Sequence, residues 1–117
     1  MFPLKIYAVM SQKIVIEVDL DEKKIPSEIR WKAEGQKESE AKAILLSIFE
    51  RESRDTMKMD LWTGDMQMME MDRFFYYSLL SMADTYHRAT KNDELASDLK
   101  NFASYFGEKT GIHKKDK

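Results

Sequence analysis

Few residues in this chain are able to do acid–base or metal chemistry. His87 and His113 are the only histidines and cysteine is absent. His113 falls in a C-terminal stretch with little to bury, so a general base would have to be His87 or a carboxylate. Asp84 and His87 stand three residues apart. On a helix that spacing puts both on one face, and an acid-x-x-His pair is the spacing that carboxylate metal sites use in helical bundles. Such a site needs further inward-facing acids, and Asp60, Asp65 and Asp72 are the available supplements. The plainer reading pairs Asp84 with Arg88, four residues on, as a helix-surface ion pair, the commoner fate of helix-face acids. A metal-dependent enzyme using Asp84 and His87 is therefore the alternative reading. A phosphate-cradling glycine loop, a G-x-S-x-G elbow and an H-E-x-x-H pair are all absent, and four glycines leave little backbone freedom to hold a phosphate. The chain reads as a non-enzyme, with no catalytic residues and no cofactor.

The unusual chemistry is softer. Nine methionines are present, six of them (Met57, Met59, Met66, Met68, Met69, Met71) in one stretch. Thioethers suit adaptable binding surfaces, and they also fill irregular cores. Core packing is favoured for Met57, Met59, Met68 and Met71, which fall on predicted buried faces, whereas Met66 and Met69 do not. Copper(I) coordination by thioethers is chemically available, but no signal peptide directs the chain to a compartment that would use it. Strand alternation turns Trp62 away from Met59 and Leu61. An apolar cross-strand partner would make it part of a small secondary cluster; an open position beside Met66 or Tyr76 would mark a contact site. Residue type and predicted exposure single out Trp62, Asp65, Met66, Met69 and Met71 as a protein-binding surface. Phe74, Phe75, Tyr76 and Tyr77 encircle one helical turn, which must be buried on several sides or shared with another copy, so a structural homo-oligomer is a third reading.

These residues need a frame. A chain of 117 residues supports one core, and 43% hydrophobic with 34% charged residues excludes disorder and membrane embedding alike. A formal charge of -2, with acids and bases interspersed, argues against nucleic acid as a partner. The absence of cysteine fits a reducing compartment. Met1 to Met10 makes a poor signal peptide, and no run approaches a membrane span, so a soluble cytoplasmic protein is expected.

Period-two alternation predicts strands over 12–20, 29–33 and 56–62, the first two forming a hairpin. Between Ser39, as N-cap, and Glu52, Ala41, Ile44, Leu45, Ile48 and Phe49 recur at steps of three and four and predict a helix. Met68, Met71, Phe75, Leu79, Met82 and Tyr86 form the apolar stripe of a long helix from Gln67 to about Thr90. Leu95, Leu99, Phe102 and Phe106 mark a last helix, and the two close a helical hairpin. The expectation is an α+β fold in β-β-α-β-α-α order: a small antiparallel sheet of about three strands, helices packed on one face, ending in a helical hairpin. Residues 112–117 read as a frayed polar tail.

The segment Asp60-Leu61-Trp62-Thr63-Gly64-Asp65-Met66, followed by Glu70-Met71, by Ser81-Met82-Ala83-Asp84-Thr85 and by Arg88-Ala89-Thr90, resembles the gliding-motility-associated GldC family. Val18 to Glu22 with Ile25-Pro26 and Ile29-Arg30-Trp31 is similar to that family's opening hairpin. The resemblance runs from about Met10 to Gly111, so residues 10–111 read as a single GldC-like domain and residues 1–9 as an N-terminal extension or added edge strand. It implies an accessory protein of gliding motility without known enzymatic activity, acting beside the envelope-spanning gliding and secretion machinery. It carries over no catalytic or ligand-binding residue. The leading expectation is an adaptor or chaperone-like interaction protein whose partner is a component of that machinery.

Overall fold

The computed structural model describes residues 11–113; the suggested extension at 1–9 lies outside them. The chain divides into two compact units, with the boundary between Asp65 and Met66.

Among the described residues the first unit is built from strands. Strands β1 (Ile14–Leu20), β2 (Pro26–Ala33) and β3 (Ser39–Ala41) form an antiparallel sheet in that order, and β4 (Ala43–Phe49) pairs antiparallel with β5 (Thr56–Trp62) in a second sheet. The β1–β2 turn is built by Asp21. Its carboxylate accepts the backbone N–H groups of Lys23 at 2.8 Å and Ile25 at 3.0 Å, while Lys24 takes a left-handed φ of 64°. Register then sets Ile16 opposite Trp31 and Val18 opposite Ile29, and Ile29 is fully buried.

The segment expected as a helix over 39–52 is instead β3, a break at Lys42, and β4. A four-residue step puts two residues on the same side of a strand as well as of a helix, so Ile44 and Ile48 satisfy both patterns. Cross-strand pairing decides between them. Ile44 lies opposite Leu61, Leu46 opposite Met59 and Ile48 opposite Met57, so three apolar pairs stack on one face. A turn with Arg54 in the left-handed region, its N–H donating to the Glu50 carbonyl at 3.0 Å, closes the hairpin. The α+β class holds, with five strands in two sheets where about three in one were expected.

The second unit is the expected helical hairpin, α1 (Met68–Thr90) and α2 (Asp93–Thr110). The Glu70 carboxylate accepts the backbone N–H of Gln67 at 2.9 Å at the start of α1. Lys91, left-handed at φ 60°, ends that helix, and the side chain of Asn92 accepts the Leu95 N–H at 3.1 Å to start the next. The buried residues are mostly small: Tyr76 and Ala83 on α1, and Ala96, Ala103 and Gly107 on α2. Spaced by seven or four residues, they form a stripe along which two helices approach closely. The predicted apolar stripes lie beside this contact, with only Phe75 and Phe106 stacked across it at 6.5 Å between ring centroids.

Of the tail expected over 112–117, residues 114–117 lie outside the described residues. The His113 N–H donates to the Gly107 carbonyl at 3.0 Å, that of left-handed Gly111 to Glu108, and the His113 ring stacks on Tyr76 at 6.1 Å.

Candidate functional site

The turn after β5 is held by a buried polar residue, Thr63. The Thr63 N–H donates to the Lys42 carbonyl at 2.8 Å, so β5 is pinned where the chain passes from one sheet to the other. Thr63 is buried, and its hydroxyl lies 2.5 Å from the Asp65 carboxylate and 3.3 Å from the Lys42 carbonyl. With one proton to give, it favours the charged and closer acceptor. That hydrogen bond, helped by the charge of Lys42, holds the Asp65 carboxyl below the usual aspartate range against some desolvation. Asp65 therefore has a structural task in the turn. Glu28, Glu40, Ile29 and Thr63 share with it a cleft of about 330 Å³.

Trp62 ends β5 opposite Ala43, a residue too small to cover an indole, and its neighbours along the same strand face are Asp60 and Lys58, paired with each other at 3.4 Å. It is 55% exposed. In the second unit Met69 is 72% exposed on the first turn of α1, while Met66 and Met71 are half-buried. Of the methionines expected in the core, Met57, Met59 and Met68 are exposed as well. In a two-stranded sheet, the partner strand covers the edges of Met57 and Met59 and leaves their outer surfaces open.

The alternative pair is engaged elsewhere. The Asp84 carboxylate accepts from Arg88 Nε at 3.0 Å, and His87 Nε2 pairs with Asp93 at the start of α2. Both lie in an open depression of about 400 Å³ between the helices, with Leu80 and Lys100. Among the described residues no group of three or more histidines, cysteines or acids could hold a metal ion.

One polar cluster escaped the sequence reading. Arg30 Nη1 donates to Asp19 at 2.8 Å and to Glu28 at 2.6 Å, and Glu17 stands 3.9 Å from its Nε. Strand alternation contained the signal, because Glu17 and Asp19 alternate on β1 and register against the face of β2 that bears Arg30. Hydrogen bonds from Arg30, and then its charge, hold the Asp19 carboxyl below its ordinary range. The guanidinium is in turn raised by Asp19 and Glu28.

These features define a small α+β protein whose notable chemistry is exposed apolar side chains. A family model described as gliding motility-associated protein GldC-like matches residues 26–112, and the chain belongs to that family. Membership associates it with gliding motility. No curated protein and no solved structure matches the chain. No helix among the described residues is long and apolar enough to cross a membrane.

Proposed function

We propose that this protein is a non-enzymatic accessory factor of gliding motility, a cytoplasmic adaptor or chaperone-like protein that binds a component of the gliding or associated secretion machinery. The binding segment runs from Trp62 to Met71. The observation that carries this reading is the exposure of Trp62 with only Ala43 opposite it. An exposed tryptophan costs solvation in the free protein, and large aromatics of this kind anchor interfaces when a partner covers them. Met69 adds a flexible apolar contact of the kind adaptable surfaces use, while Asp65 holds the turn after β5 through Thr63. Affinity purification of the tagged protein from gliding cells, beside a Trp62→Ala, Met69→Ala variant, tests it. Recovery of a gliding or secretion component with the wild type and its loss with the variant supports the reading; equal recovery with both removes this segment as the binding site.

A further inference from the structure

Both helices of the hairpin carry large apolar side chains on the same side. Tyr86 of α1 lines one open groove with Leu95, Leu99 and Phe102 of α2, and Phe75 stacks on Phe106 further along. The helix-to-helix contact itself is made by the small residues and Tyr76, so this second face is left uncovered by it. Phe75, Met82, Leu95, Leu99 and Phe102 are each between 37% and 59% exposed, and Met68 at the end of the face is 82% exposed. At about 200 Å² per large side chain this amounts to roughly 600 Å² of apolar surface before half-buried Leu79 and Tyr86 are counted. A stable interface takes about 800 Å² from each partner.

The charges at its rim select the occupant. Asp98 and Lys109 both lie on the outer edge of the α2 stripe, next to Phe102 and Phe106 in the helical projection. Asp98 lines the groove, and the Lys109 ammonium sits 5.7 Å from the centroid of the Tyr105 ring. Neither makes an ion pair among the described residues. Their spacing of eleven residues is about three helical turns, roughly 16 Å. A two-fold axis perpendicular to α2, passing midway between them, lays α2 antiparallel on α2 of a second chain. It then sets each Asp98 against the other chain's Lys109, two opposite-charge pairs from one symmetry operation. Corresponding residues of α1 meet near Phe75 and Leu79.

We infer that this face is the interface of a symmetric dimer, a four-helix arrangement in which the occupant is the hairpin of a second copy. Sedimentation equilibrium of the purified full chain tests this without any gliding component, so its outcome is separate from that of the adaptor reading. The expected result is a mass of twice 13.8 kDa at micromolar concentration. Asp98→Lys and Lys109→Asp should each weaken association about tenfold or more by facing like charges, and the double exchange should recover most of it. Phe102→Asp should give a folded monomer by circular dichroism. A wild-type monomer at all concentrations overturns the proposal. A dimer indifferent to both single charge changes, or a double exchange no better than the singles, overturns it equally.

Discussion

The Cβ that Gly107 lacks would lie 2.5 Å from the ring of Tyr76 and 2.8 Å from Cβ of His113. Glycine within a helix costs about 1 kcal/mol relative to alanine, so close packing against the Tyr76 ring must outweigh that cost. Gly107→Ala should push the ring off the helix and lower stability by about 1–3 kcal/mol, net of the propensity gain. Thermal unfolding measures it, and in a Tyr76→Leu background, which removes the ring but leaves the His113 Cβ in place, the same change should cost less.

The connection between α1 and α2 offers two opposite changes. Lys91 holds a left-handed conformation that carries a penalty for any residue with a Cβ. Lys91→Gly should stabilise the chain by about 0.5–1 kcal/mol, less what the unfolded state gains in freedom. Asn92→Ala, which removes the side chain that accepts the Leu95 N–H, should cost about 1 kcal/mol. Denaturant midpoints of the two variants should move in opposite directions from the wild type.

For the Arg30 cluster the sign of the pH effect is determined. The Asp19 carboxyl titrates below its unfolded value in the folded chain because Arg30 hydrogen-bonds to it. Its contribution to stability is therefore complete above the unfolded aspartate value of about 3.9 and fades as pH falls towards the lower folded value. Arg30→Gln should lower the melting temperature modestly at neutral pH, since the partners are largely exposed. The gap between variant and wild type should narrow on acidification below about pH 4. A gap that is constant down to pH 2 would show that Arg30 acts through packing alone.

Trp62→Ala should leave stability within about 0.5 kcal/mol of the wild type, as for other exposed positions free of special packing, while partner recovery falls. A larger loss of stability would mean that the indole packs in the folded chain and is no free anchor.

Asp84→Asn and His87→Gln should each change melting by little, because both side chains are exposed and engaged in surface pairs. Stoichiometric metal in the wild type, by elemental analysis, and its loss in these variants would revive the enzymatic alternative.

Much of the fold was legible in local pattern. The alternation of Ile14, Ile16, Val18 and Leu20 and of Met57, Met59 and Leu61 identifies two strands, and recurrence at three and four residues identifies both helices, the first close to its observed ends. The stretch from Ser39 to Phe49 was ambiguous in principle, since Ile44 and Ile48 share a side under either period, and only pairing with Met57, Met59 and Leu61 settles it. The candidate site was partly legible. Alternation turned Trp62 away from Leu61, but the size of its cross-strand neighbour, Ala43, depended on a register that the strand itself does not encode.

The amino-acid sequence by itself determined the α+β class, the closing helical hairpin and the family, because periodicity and motif spacing are properties of the chain read one residue at a time. Only the tertiary structure decided which helical stripe is buried. Hydrophobicity points to Phe75, Met82, Leu99 and Phe102, yet Ala83, Ala96, Ala103 and Gly107 make the contact. Two helix axes approach most closely where side chains are smallest, and the large apolar residues are left beside that seam.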